Sequence, residues 1–175
     1  PFLSTIRTTE IIPVDLNCLI YNMELQLDQS AAEARRNAIL KYCWDNAEGW
    51  FCDYCWTENR KSSVLSLAGM FPLFFNLAND SQTRRVAQRI ESDFLKPGGV
   101  VTTLNQTGQQ WDFPNGWAPL QWLTVKGLLN YGYEDLARKI AERFVALASR
   151  VYGETGKMME KYDVCDVTKQ AGGGE

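Results

Sequence analysis

Along most of the chain, apolar residues recur every three or four positions, the period of an amphipathic helix. After an extended lead over 7–13, Leu16, Leu19, Ile20, Met23 and Leu27 form one such stripe. Ser30-Ala31-Ala32-Glu33 has the form of a capping box and opens a second helix to about Cys43, with Ala34, Ala38, Ile39 and Tyr42 on its inner face. Residues 64–78 are apolar nearly all round, which predicts a buried helix kinked near Pro72. Asp80-Ser81 caps the next helix, whose inner stripe is Val86, Ile90 and Phe94, while Arg84, Arg85, Gln88, Arg89 and Glu91 face water. Pro119 sits in the first turn of a further helix, with Leu120, Trp122, Leu123, Val125 and Leu128 among its apolar residues and Gly132 at its end. Glu134-Asp135 starts the last, with Leu136, Ile140, Phe144, Leu147 and Val151 facing inward.

These segments pair into three helical hairpins near 13–43, 63–94 and 118–151. Strand signals are weak, and only Trp50-Phe51-Cys52-Asp53-Tyr54-Cys55-Trp56 reads as a short strand or an irregular loop. The fold class that follows is all-α, built from repeated helix pairs. No residue-level repeat is present, which disfavours a short-period solenoid. Between the second and third hairpins lies a polar stretch, 101–116. A connection of that length inside a compact domain is usually functional.

Composition narrows the function. A length of 175 residues is enough for one domain with a core, and 45% apolar content is ordinary. A net charge of −3 argues against a nucleic-acid partner, which needs a basic surface. No run of 18 apolar residues exists, so no membrane span is expected. Histidine is absent, which removes Ser-His and Cys-His triads and His-rich zinc sites. Cys52-Asp53-Tyr54-Cys55 is formally C-x-x-C, but it lacks the second pair of a zinc site and the βαβ setting of a redox motif. With Cys18, Cys43 and Cys165, these residues read as small apolar thiols. Lys96-Pro97-Gly98-Gly99 is not followed by G-K-[ST] and is no phosphate loop. Neither a metal nor a cofactor is expected. The ends, Pro1 and Glu175, read as those of a piece of a longer protein.

The densest chemistry lies at 108–122, where three tryptophans, a carboxylate, amides, two prolines and two glycines fall within fifteen residues. Indole faces cover the C–H face of a sugar, and Asp, Asn and Gln bond its hydroxyls. From composition alone, the same stretch is equally a packed turn with core tryptophans. Gln110-Trp111-Asp112-Phe113-Pro114-Asn115-Gly116-Trp117-Ala118-Pro119, however, resembles the QWD-x-PNGWAP signature of the trehalases, glycoside hydrolase family 37, at all nine fixed positions. Arg7-Thr8-Thr9 and Pro13-Val14-Asp15-Leu16-Asn17 are similar to a family RTT…PVDLN run, and Asp53-Tyr54 to a W-x-D-Y element. For Arg7 and Asp15, helix capping and packing is the preferred reading.

The resemblance implies an (α/α)6 toroid, of which residues 1–175 are the C-terminal half of a catalytic domain. It implies an α,α-trehalase that hydrolyses the disaccharide trehalose with inversion and without cofactor or metal. Such chemistry uses two carboxyl groups roughly 6.5–9.5 Å apart, one as acid and one as base. Glu160, in Met159-Glu160-Lys161-Tyr162-Asp163-Val164, matches the family's general base. Glu175 matches the glutamate ending the family's glycine-rich loop, which bonds sugar hydroxyls. Trp111, Asp112, Asn115 and Trp117 are the remaining substrate-binding candidates. The family's acid lies in a motif like E-S-G-W-D, upstream of Arg7-Thr8-Thr9 and absent here, so the missing N-terminal half is a necessary partner and the chain alone is expected to be inactive. Two alternatives stay open: a helical sugar-binding or interaction module without catalysis, and an (α/α)6 glycosidase acting on another glucoside.

Overall fold

The computed structural model describes residues 6–174, so Glu175 lies outside the described residues. Helices carry the fold, as the all-α reading requires. α1 (Val14–Leu27) and α2 (Gln29–Tyr42) form the first hairpin, and α5 (Ala118–Leu129) and α6 (Glu134–Thr155) the last. Between them a 3₁₀ turn, Leu67–Met70, runs into the short α3 (Phe71–Phe74), which packs against both α1 and α5 and so joins the two hairpins. α4 (Asp80–Arg89) follows and ends in a π-helical turn, Ile90–Phe94. The long helix expected over 64–78 is therefore a single short one. Asn76 takes a left-handed φ of +57° and ends it, so the continuous apolar run is irregular buried chain.

The strands are two-residue ladders at the ends of the helices. β1 (Ile11–Ile12), β4 (Tyr54–Cys55) and β5 (Arg60–Lys61) form an antiparallel sheet in the order β1-β4-β5. β2 (Trp44–Asp45) pairs with β3 (Trp50–Phe51), and β6 (Leu95–Lys96) with β7 (Gly99–Val100). β8 (Asn115–Gly116) pairs with the distant β9 (Tyr162–Asp163).

Helix starts differ from the expected ones in detail. α2 is capped by Asp28, whose Oδ1 accepts from the Ser30 and Ala31 backbone at 2.9 and 3.1 Å, not by a box opening at Ser30. α4 is capped one residue earlier than expected, by a reciprocal box between Asn79 and Gln82 at 2.9 and 3.0 Å. α1 begins at Val14, whose N–H is met by Asp53 Oδ1 at 2.9 Å. The α1–α2 hairpin is pinned by Arg35, which grips Glu24 with two bonds of 2.7 Å and reaches Asn17 at 2.8 Å.

The core gathers Trp50, Phe51, Leu67, Met70, Leu73, Leu77, Val86, Ile90, Phe94, Leu128, Ile140 and Val151. The stripes expected on α4 and α6 face it. Trp50 stacks on Phe94 at 4.8 Å and donates from Nε1 to the Ser66 carbonyl at 3.0 Å. On α1 the expected stripe is mostly outward: Leu16, Leu19, Met23 and Leu27 are 50%, 46%, 61% and 83% exposed, and Val14, Cys18 and Tyr21 are buried instead. On α2, Ala32 and Ile39 are buried, while Ala34, Ala38 and Tyr42 are exposed. On α1 both sets repeat at helical spacing, and packing against α2 and α3 selected the one that periodicity did not favour, while on α2 Ile39 alone of the expected face is buried.

Of the arginines expected to face water, Arg85 and Arg89 bind the 45–49 turn: Arg85 Nη1 donates to the Asn46 carbonyl at 2.7 Å, and Arg89 pairs with Glu48 at 3.0 Å. The five cysteines are free thiols, and all but Cys165 are buried. Burial pushes the Cys43 and Cys52 thiols up to about 12, which keeps them protonated and unreactive. Among the described residues, no helix is long and apolar enough to cross a membrane.

Candidate active site

The stretch 108–117 is a folded loop held from within and from three neighbours. Inside it, Asp112 N–H donates to the Gln109 carbonyl and Asn115 N–H to the Asp112 carbonyl, each at 3.0 Å. Thr102 donates from both N–H and Oγ1 to the Asn115 carbonyl, at 2.9 and 3.1 Å, tying the loop to the chain that precedes it. Beneath, the buried Gln121 on α5 bonds both backbone groups of Val100, accepting from its N–H at 2.8 Å and donating to its carbonyl at 2.7 Å. The third neighbour is β9. Its pairing sets Asn115 against Asp163 and Gly116 against Tyr162, and Val164 N–H adds a bond to the Pro114 carbonyl at 3.1 Å. Two segments more than forty residues apart in sequence thus become one surface.

On that surface Trp111 and Trp117 stack face to face, with centroids 3.8 Å apart and planes 4° from parallel. Trp111 is the outer ring, 49% exposed, and Trp117 the inner, 6% exposed. Trp117 Nε1 donates to the Gln110 carbonyl at 3.1 Å, and the Lys161 ammonium sits 5.8 Å from the Trp117 ring centre. Trp111 is therefore a flat aromatic platform of the kind a sugar ring covers, with Trp117 as its support.

The polar candidates divide. Asp112 accepts from the Thr107 hydroxyl and, at 3.4 Å, from Thr103 Oγ1, so its carboxylate braces the loop. Asn115 is 1% exposed and spends its amide N–H groups on the Gln110 and Gly173 carbonyls, at 3.1 and 2.8 Å. Glu160 is exposed and, among the described residues, has no ion-pair partner. It immediately precedes Lys161, whose ammonium reaches Gln110 of the platform loop. Glu175 lies outside the described residues, but the 172–174 segment leading to it crosses the loop.

Lys161 and Gln110 stand inside the matched motifs without being nominated for the site, and Gln121 and the threonines lie outside the candidates altogether. Lys161 Nζ donates to Gln110 Oε1 at 3.4 Å, and its carbonyl accepts from Gly172 N–H at 3.0 Å. For Gln121 the local signal is a lone glutamine within the apolar run of α5. Arg7 lies with Glu10 and Glu58, donating to Glu10 Oε2 from Nε at 2.9 Å. The Glu10–Cys55–Glu58 cluster thus already surrounds a cation, the guanidinium. Asp15 accepts from Leu16 N–H at 2.7 Å in the first turn of α1. Asp15 fits the capping reading, while Arg7 is held in a surface ion-pair cluster.

Surface clefts of about 310 to 530 Å³ line α4, α5 and α6, and none of these includes Trp111, Trp117 or Glu160. The platform is open surface. A helical hairpin array with an aromatic platform, a free carboxylate and a glycine-rich strap at one loop cluster has the makings of one wall of a carbohydrate site.

Comparison with known proteins agrees with that class. The trehalase family model matches residues 2–175, and the chain belongs to the trehalase family. It is 42% identical over 188 residues to periplasmic trehalases of Salmonella agona and Salmonella newport, a match covering 99% of this chain and 33% of theirs. The chain thus spans about a third of the length of the curated relatives it matches. Among solved structures, neutral trehalase Nth1 from Saccharomyces cerevisiae superposes with a TM-score of 0.81 at 26% identity, covering 93% of this chain and 36% of that one. A mannosylglycerate hydrolase of family GH63 from Thermus thermophilus shares the fold, with a TM-score of 0.71 at 21% identity over 94% of this chain and 42% of its own. The hairpins are those of a helical toroid.

Proposed function

We propose that residues 1–175 form the C-terminal half of the catalytic domain of an α,α-trehalase, which hydrolyses trehalose to two glucose molecules with inversion. The observation that carries the reading is the β8–β9 ladder, which joins the tryptophan loop to the segment of Glu160. Family membership and the trehalase names of the relatives support the substrate. Glu160 is the general base, and its exposed carboxylate receives a proton from the attacking water. Trp111 stacks on a glucose ring with Trp117 behind it. Asp112 acts on the sugar through the shape of its loop, and Glu175 bonds sugar hydroxyls. The general acid is supplied from outside these residues, by the half-domain that closes the site over the open platform. The chain alone then binds weakly and does not turn over.

Proton NMR of the full-length protein with α,α-trehalose tests this. Inversion releases α- and β-glucose in equal early amounts, because one glucose keeps its configuration while the other is inverted. Early release of α-glucose alone overturns inversion, and trehalose binding without turnover returns the reading to a binding module. Glu160→Gln in the same protein is expected to lower kcat by about a hundredfold or more with KM little changed. An unchanged kcat removes Glu160 from the role.

A further inference from the structure

Asn115 has the chemistry of a sugar-binding amide, yet it is 1% exposed and both of its N–H donors are engaged on backbone carbonyls. One of those carbonyls, Gln110, also receives Trp117 Nε1 and so belongs to the platform. The other, Gly173, belongs to the 172–174 strap. On its two sides the strap meets two more holds. Gly172 N–H donates to the Lys161 carbonyl at 3.0 Å, and Gly174, at φ +90°, passes so close that a Cβ there would lie 2.7 Å from the Gly108 carbonyl oxygen. A Cβ on Gly172 would come within 2.4 Å of Asn115 Oδ1, so only glycine lets the strap lie against the amide. Among the described residues, that oxygen has no hydrogen-bond partner despite its burial. The side chain is held for its donors.

We propose that Asn115 is a positioning residue that clamps the 172–174 strap to the carbonyl hub of the tryptophan platform. The proposal rests on the trehalase reading only for what the strap delivers: Glu175 is the next residue in sequence, so the place where the strap is held governs the start of any contact that residue makes with a sugar. The same amide couples platform and strap, so movement of one disturbs the other. Lys161, one residue after Glu160, ties the base-bearing segment into the clamp through its carbonyl and through Gln110 Oε1.

Hydrogen exchange in the full-length protein without sugar tests the clamp apart from catalysis. Asn115→Ala removes both donors and is expected to speed exchange at the Gly172 amide, whose N–H bonds the Lys161 carbonyl, on the order of tenfold, the scale of one or two lost hydrogen bonds. The β9 amides keep their protection, because the ladder is backbone-made. Gly172→Ala reaches the strap from the other side, through its clash with Asn115 Oδ1, and is expected to give the same local acceleration. It carries the test if Asn115→Ala fails to fold. Unchanged strap exchange in the folded variants overturns the proposal. With trehalose, the clamp predicts a KM raised about tenfold and a kcat within about twofold of the parent for Gly172→Ala. A parent that does not hydrolyse trehalose refutes the enzymatic reading, and the exchange result still decides the clamp.

Discussion

Asp53 reaches across 39 residues of sequence to accept the first N–H of α1. Desolvation by burial raises its pKa, outweighing the lowering effect of that bond. For an acid with a raised folded-state pKa, the native state gains most when the group is protonated. The contribution is full below the ordinary value near 3.8 and is lost as pH rises through the folded value. Asp53→Asn keeps an acceptor and removes the charge, so thermal melts from pH 3 to 7 are expected to show less loss toward neutral pH than the parent. Asp53→Ala leaves the buried Val14 N–H without a partner and is expected to cost about 1–3 kcal/mol in denaturant titration. The identity of such residues is readable in the sequence, but their partners are not, because a cap supplied from 39 positions away has no local signature. The same holds at the site. Trp111, Asp112, Asn115 and Trp117 stand in one legible motif, yet which ring is outward, and which polar group is spent on backbone, follows from contacts with Thr102, Lys161 and 172–174.

At the scale of elements, α4 and α6 were legible, since one apolar stripe on each leaves no choice of face. α1 has apolar residues on two faces, and period alone cannot say which is covered. The 64–78 run was ambiguous in another way: an all-apolar segment has no period to read, and buried irregular chain looks the same as a buried helix. The β6–β7 turn shows what such short ladders do. Gly99 takes φ +130° and lies where a Cβ would be 2.6 Å from Gln121 Oε1, the atom that bonds Val100. Gly99→Ala is expected to cost about 1–3 kcal/mol from backbone strain and to disturb the Gln121 bond beneath the tryptophan loop. A chemical-denaturation midpoint measures it, and an unchanged midpoint refutes the tight approach.

For the whole molecule, the outward stripe of α1 matters most. Leu16, Leu19, Met23 and Leu27 line one outward face of α1, and Trp122 on α5 is 61% exposed; exposed apolar faces of this kind favour association. The 175-residue chain on its own is expected to self-associate, seen by light scattering as mass rising with concentration. Leu19→Lys with Met23→Lys is expected to reduce that rise with melting temperature nearly unchanged, because neither side chain is buried. The sequence by itself determined the helical class, the first and last hairpins and the family, and it nominated the residues of the candidate site. All of these rest on periodicity or on contiguous motifs, which survive without coordinates. Tertiary structure alone decided which faces are buried, that Trp117 lies under Trp111, and that Asn115 serves the strap. Those are outcomes of long-range packing and pairing, in which a residue's role is set by neighbours distant along the chain.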